Sequence, residues 1–197
     1  MTVNDNKLLW AKVKPDAIIP TKRTEDAGYD IYPCFEEDYI IVPTHETRLI
    51  PTGIASAFSN DYVAVLKERG STGTKGIAQR CGILDSGFRN EWFVPITNAS
   101  NRELIISKLS IAELINKYSM SDDEGDKYIL DGKVRVYLDF GEFTEEEDLP
   151  TIYSYSKAIC QALILPVPKM NSKEISYEEL KSVTSERGMG MLGSSNK

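Results

Sequence analysis

Residues 62–76 read Tyr62-Val63-Ala64-Val65-Leu66-Lys67-Glu68-Arg69-Gly70-Ser71-Thr72-Gly73-Thr74-Lys75-Gly76. The first five are apolar, with β-branched and aromatic side chains, and predict a strand. The last nine hold an arginine, a serine, two threonines, a lysine and three glycines, and predict a turn. A short strand that stops at a polar, Gly-rich turn is a unit from which all-β domains are assembled. The unit recurs outward in both directions. Residues 7–13, 39–42, 47–54, 92–97, 104–106, 133–140 and 159–167 have the same composition, with Pro, Gly, Asn or Asp between them. Many short strands at close spacing predict a mainly β, jelly-roll-like or barrel-like domain.

Two short helices interrupt this pattern. Ser110-Ile111-Ala112-Glu113 and Ser176-Tyr177-Glu178-Glu179 are capping boxes, in which Ser and Glu satisfy each other's orphan N–H groups. Ile111, Leu114, Ile115 and Tyr118 follow the first at helical spacing, and Leu180 and Val183 follow the second.

The 197 residues are 41% hydrophobic and 27% charged, enough for one domain with a real core. Net charge is −7, unevenly spread. Residues 110–150 hold twelve Asp/Glu against four Lys/Arg, leaving eighteen acidic and nineteen basic residues elsewhere. This balance argues against a nucleic-acid-binding surface but leaves room for a local pocket that takes a free nucleotide. No apolar run reaches the roughly 18–20 residues that cross a bilayer. The polar residues 1–7 lack the apolar stretch of a signal peptide. Cys34, Cys81 and Cys160 show no metal spacing, so a reduced, cytoplasmic chain is expected. Cys81 and Cys160 sit in apolar, strand-like runs and read as small hydrophobes. His45, the only histidine, sits in a turn-like Pro43-Thr44-His45-Glu46 and reads as a surface residue. Trp10 and Trp92 read as core or interface aromatics.

Nine of the thirteen glycines fall in four short stretches. The first is Ala27-Gly28-Tyr29-Asp30. The second, residues 68–76, is either a polar hairpin turn or an anion-binding nest of backbone N–H groups; it lacks the Walker spacing. The third, Gly82-Ile83-Leu84-Asp85-Ser86-Gly87-Phe88-Arg89-Asn90-Glu91, reads as a hairpin. Its amides could pair with a base edge, and Asp85 is either a turn-capping aspartate or a carboxylate that orients water. The fourth, Arg187-Gly188-Met189-Gly190-Met191-Leu192-Gly193-Ser194-Ser195, is either a frayed terminus or a phosphate-binding lid.

These stretches, in this order, resemble the motifs of the trimeric deoxyuridine triphosphatase (dUTPase) family of phage and bacterial type. Ala27 to Ile31 is similar to the first motif, Arg69 to Gly73 to the second, and Gly82 to Glu91 to the third. Residues 156–161, ending in Gln161, are similar to the fourth, and Arg187 to Ser195 to the fifth. The resemblance implies a jelly-roll-like, distorted β-barrel, a homotrimer with sites at subunit interfaces, and hydrolysis of dUTP to dUMP and pyrophosphate with Mg²⁺ on the triphosphate. Such an activity sanitises the nucleotide pool and supplies a dTTP precursor. The resemblance makes Asp85 the catalytic carboxylate that activates water. Gly82 and Ile83 read uracil through the backbone, and Phe88 packs on the deoxyribose. Arg69, Gly70 and Ser71 hold phosphates, and Gln161 meets the phosphates or the water. Arg187 reaches the γ-phosphate, Leu192 covers the base, and Gly193 and Ser194 close the loop. Asp30 enters the water shell of Mg²⁺.

The chain departs from the family pattern at several points. Phe88 stands where Tyr is usual, Asn90 where Gly is usual, and Leu192 where an aromatic is usual. Ser156 and Ala158 replace the fourth motif's glycine and basic residue. Residues 108–149 are an acidic insert between motifs three and four. It reads as a tolerated surface insertion or as an arm that binds a regulatory protein. The expected layout is a β core at 1–107 and 150–186, the inserted subdomain at 108–149, and a flexible C-terminal lid at 187–197. Two rival readings remain: a regulatory protein on a dUTPase scaffold, and a dCTP deaminase. The deaminase's general base would fall ten residues after Asp85, where this chain has Pro95.

Overall fold

In the computed structural model, which describes residues 7–139 and 149–186, the β-branched runs become strands that share one core. In chain order the elements are β1 (Leu9–Lys12), β2 (Tyr29–Ile31), β3 (Tyr39–Val42), β4 (Thr47–Pro51), β5 (Ile54–Ala57), β6 (Tyr62–Lys67), α1 (Gly70–Gly73), β7 (Ile77–Gln79), β8 (Ile83–Leu84), β9 (Phe93–Asn98) and β10 (Leu104–Ser107). They continue with α2 (Ile111–Tyr118), β11 (Met120–Ser121), β12 (Lys127–Asp131), β13 (Val134–Asp139), β14 (Thr151–Ser154), β15 (Cys160–Pro166) and α3 (Tyr177–Ser182). The architecture is mainly β and jelly-roll-like, with small sheets wrapped around buried Ile31, Val42, Ile50, Leu66, Trp92 and Ile96.

One sheet, ordered β2-β15-β6-β8, brings together strands from three distant parts of the chain. In it Gln161 of β15 lies opposite Asp30 of β2 on one side and Lys67 of β6 on the other. On the far edge of β6, Ala64 and Val65 pair with Leu84 and Ile83 of β8.

Strand β10 explains where the acidic insert packs. It runs antiparallel to β3 and parallel to β14, and Leu104, Ile105 and Ile106 are all buried. A strand buried along its whole length is covered on both faces. Leu104 and Ile106 belong to the main core. Ile105 and Ile41 face a second cluster built with Leu114 of α2, Ile129 of β12, and Val136 and Leu138 of β13. The described part of the insert is therefore a helix and a small sheet laid over the outer face of β3 and β10. Polar contacts tie down its edge. Lys117 Nζ and Tyr118 Oη both donate to Asp38 Oδ2, the latter at 2.8 Å, and Arg48 meets Asp131 at 3.3 Å. The Tyr39 and Tyr118 rings meet edge to face at 5.2 Å.

Both expected helices form where their caps predict. Glu113 N donates to Ser110 Oγ at 3.3 Å and Ser110 N to Glu113 Oε2 at 2.8 Å. The Ser176–Glu179 pair repeats the pattern at 3.1 and 2.9 Å. Residues 168–186 belong to a separate unit, which carries α3. No helix among the described residues is long and apolar enough to cross a membrane.

Three expectations need correction. Residues 47–54 do not form one strand. The chain breaks at Thr52-Gly53, where Thr52 Oγ1 donates to Trp92 O at 2.6 Å and Gly53 N to Glu91 Oε1 at 2.7 Å. Gly53 has φ +65°, and a Cβ there would lie 2.8 Å from Ala17 Cβ. Cys81 is not a buried hydrophobe. It is exposed and left-handed at φ 49°, because the chain turns there between β7 and β8. The Gly-rich stretch after β6 is a single helical turn, α1, and not a hairpin.

Asp38 supplies a test of how the insert is held. Hydrogen bonds from Lys117 and then Tyr118 hold its carboxyl below the usual carboxylate range. A depressed folded-state value stabilises above the unfolded pKa, and that contribution disappears as pH falls through the lower folded value. Thermal melts of the parent and of Asp38→Asn are therefore expected to differ at neutral pH. The difference should vanish only below about pH 4.

Candidate active site

The β15 register brings three distant stretches of chain to one cleft. Asp30 on β2 and Gln161 on β15 are direct neighbours, and Arg69 follows the end of β6. The Arg69 guanidinium grips Asp30 with both arms, Nε to Oδ1 at 3.0 Å and Nη2 to Oδ2 at 3.3 Å. Its third nitrogen, Nη1, donates to Ala158 O at 3.4 Å. That carbonyl also accepts from Tyr153 Oη at 2.7 Å. A planar fork held at three points is a preorganised anion receptor. Thr72, fully buried, pins the backbone beneath it. Arg69 N donates to Thr72 Oγ1, which donates to Arg69 O, each at 3.0 Å.

Gln161 is fixed from two sides. Its Nε2 donates to Glu68 O at 2.8 Å. Opposite, Gly28 leaves the room it needs, since a Cβ on Gly28 would lie 2.7 Å from Gln161 Oε1. Backbone hydrogen bonds hold the Glu68 carboxyl below its ordinary range, against the opposing effect of burial. Burial, reinforced by nearby Asp30, pushes the Cys160 thiol up, so it stays a neutral packing residue beneath the cleft.

The cleft encloses about 590 Å³ and is bordered by Gly28, Asp30, Arg69, Gly70, Ser71 and Gln161. Its remaining wall was not anticipated from sequence. Thr21, Lys22, Arg23 and Asp26 line it as well. The available signal was two adjacent cations, Lys22-Arg23, shortly before the first Gly stretch.

The third Gly stretch lies elsewhere in the same chain. Ile83 and Leu84 pair with Val65 and Ala64 in the middle of β6 and run away from its Lys67 end, which Arg69 follows. At about 3.3 Å per residue, Asp85 and Arg69 are separated by roughly 15–20 Å. Asp85 is exposed at the hairpin turn, where its carbonyl accepts from Phe88 N at 3.0 Å. Phe88 and Ile83 are exposed too. One chain thus unites Asp30, Arg69, Gly70, Ser71 and Gln161 around the cleft, whereas Gly82, Ile83, Asp85 and Phe88 do not border it. Arg187, Leu192, Gly193 and Ser194 lie outside the described residues.

Among the described residues no group of three or more His, Cys, Asp or Glu could cage a metal ion. Asp30 borders the cleft, but Arg69 occupies both its oxygens.

The sequence profile of the dUTPase family matches residues 14–121. The chain belongs to the dUTPase family. The matched span contains the first three motifs and ends inside the insert; Gln161 joins the first two motifs by geometry. Among relatives, the deoxyuridine 5'-triphosphate nucleotidohydrolase of Leptospira interrogans is 30% identical over 114 residues, covering 55% of this chain and 78% of that protein. The Neisseria meningitidis serogroup B enzyme of the same name is 32% identical over 104 residues, covering 50% and 69%. The dUTPase of Staphylococcus bacteriophage 80alpha with dUpNHpp has a similar fold, with TM-score 0.64 and 21% identity over 98% of this chain and 99% of that one. The phage phi11 dUTPase, described for its species-specific insert, gives TM-score 0.55 at 19% identity over 86% and 96%.

Two glycines of the dUTPase motifs differ in what they are for. A Cβ on Gly82 would lie 2.5 Å from Leu66 O, so β8 can pair with β6 only through a glycine. A Cβ on Gly70 would meet nothing within 4 Å. Gly82→Ala is expected to cost about 1–3 kcal/mol in urea unfolding. Gly70→Ala, in open space at a permitted backbone angle, is expected to change stability by less than about 1 kcal/mol.

Proposed function

We propose that this dUTPase-family chain hydrolyses dUTP to dUMP and pyrophosphate as a homotrimer. The observation that carries the reading is the cleft in which Arg69, Gly70, Ser71 and Gln161 converge on one anion-sized space. Family membership supplies the substrate. In this reading Arg69 and the Gly70–Ser71 backbone bind phosphates, and Gln161 orients a phosphate oxygen or the attacking water. Asp85 takes a proton from that water as it attacks phosphorus, and the pyrophosphate oxygen leaves. The Gly82–Ile83 backbone reads uracil, and Phe88 covers the sugar.

The separation of Asp85 from Arg69 favours assembly. In this reading Asp85 of a second copy meets the nucleotide that Arg69 holds, with Arg187, Leu192, Gly193 and Ser194 closing the site. Mg²⁺ fits as an ion carried by the triphosphate, with Asp30 reaching it through water, because magnesium prefers substrate phosphates and a few carboxylates to an all-protein cage. When bound it neutralises phosphate charge. Pro95 weighs against deamination. It lies buried in β9 and has no group that can transfer a proton.

Pyrophosphate release with dUTP, dCTP, dTTP and UTP tests the assignment. The parent chain is expected to prefer dUTP strongly, and Asp85→Asn to lower turnover by about 10²–10⁴-fold. Equal use of the four nucleotides, or an unaffected variant, would sink it.

A regulatory role for residues 108–149 is a second reading, favoured by Met120, Leu130 and Val134, which the insert leaves exposed. If the insert is an accessory, removing 110–148 together with Ile41→Thr and Ile105→Thr is expected to leave dUTP turnover in place. The two substitutions make the uncovered face polar. Loss of the folded assembly would instead make the insert part of the core.

A further inference from the structure

The cleft has a second cationic wall that the motifs do not include. Residues 20–26 form a strap across one side, tied to β2 by Asp30 N donating to Thr21 O at 3.0 Å. Its outer side borders a shallow hollow floored by Leu8, Trp10 and Tyr29. Lys22 and Arg23 border both this hollow and the cleft, and Asp26 borders the cleft alone. Lys22 Nζ donates to Asp26 O at 2.7 Å and lies 5.7 Å from the Tyr29 ring centre. Arg23 holds Asp26 with two nitrogens, Nε at 2.9 Å and Nη2 at 3.0 Å.

Two arginines therefore line one cleft, and each is clamped on an aspartate of the same cleft. The two pairs differ in how firmly they are held. Arg69 and Asp30 have side-chain exposures of 33% and 34%, and Arg69 has Ala158 O as a further partner. Arg23 and Asp26 are 88% and 37% exposed, three residues apart on one loop. An exposed pair of this kind contributes little, so an incoming phosphate can take Arg23 from Asp26 at small cost. A half-buried, triply held fork stays where it is. Arg69 is the fixed jaw of the cleft and Arg23 the movable one. The charge count points the same way. Lys22, Arg23 and Arg69 face Asp26 and Asp30, a net of +1 before the strap opens. Freeing Arg23 from its carboxylate gives the terminal phosphates a second bidentate partner.

We propose that Lys22 and Arg23 bind the terminal diphosphate portion of the nucleotide, and the pyrophosphate product, with Asp26 as the competing internal anion that returns Arg23 when the product leaves. This rests on the dUTPase reading and extends it to residues outside the motifs.

The test uses the full chain with Mg²⁺, and measures KM and kcat for dUTP and the inhibition constant of inorganic pyrophosphate. Arg23→Ala is expected to raise the pyrophosphate constant and KM together, about five- to tenfold, with a smaller effect on kcat. Asp26→Asn breaks the same ion pair but keeps the arginine, and is expected to lower the pyrophosphate constant about two- to threefold. The opposite signs separate ligand binding from loop support, because a merely structural ion pair would weaken binding in both variants. Arg23 is exposed, so its replacement leaves the fold intact. A pyrophosphate constant unchanged by Arg23→Ala but raised by Arg69→Ala overturns the proposal and leaves the hydrolase reading standing. A parent chain that does not turn over dUTP removes both.

Discussion

The register of β15 is the constraint on which the cleft depends. Gln161 sits between Asp30 and Lys67, and its neighbours Cys160 and Ala162 point into the core. Side chains alternate along a strand, so a slip of one residue would bury Gln161 and turn Cys160 or Ala162 toward the phosphates. The burial of those two small residues therefore holds a polar residue in place on the opposite face. Gly28 and the Glu68 carbonyl then fix its rotamer. Packing chooses the face, and two local contacts choose the direction.

On that frame the Asp30–Arg69 pair sets the electrostatics. A half-buried carboxylate beside a half-buried guanidinium neutralises it without filling its donors, since the fork still faces the cleft. The same chemistry on the 20–26 strap has a different consequence because it is solvated. Water weakens the Arg23–Asp26 attraction and leaves it exchangeable. Identical residue types thus give a rigid receptor on the sheet and a movable one on the loop. Burial and the Ala158 carbonyl make the difference.

The insert shows how an addition packs onto an existing core. Its buried apolar residues do not form a core by themselves. They close over Ile41 and Ile105, on the outer face of strands whose inner face already belongs to the main core. A strand covered on both faces can carry a continuous apolar run, and residues 104–106 do so. Among the described residues of the insert, Glu113, Asp123, Glu124 and Asp139 are exposed, and at the polar edge Lys117 and Tyr118 meet Asp38.

What was legible in the sequence was local. The capping boxes at Ser110 and Ser176 act over three residues, and both helices start where they predict. Alternating β-branched runs marked most strands of the core, and five short motifs identified the family. Short or charged strands were missed. Tyr29–Ile31 is only three residues long, and Lys127–Asp131 owes its order to partners across the insert sheet. Tertiary structure alone decided which motifs meet. It split residues 47–54 at Gly53, because Ala17 and Cys34 leave no room for a Cβ. It made Gly82 a pairing residue of β6, recruited Lys22, Arg23 and Asp26 to the cleft wall, and set Asp85 far from Arg69. Each of these outcomes depends on strand register between residues far apart in the chain, and that register comes from burial shared across the whole core rather than from any one segment.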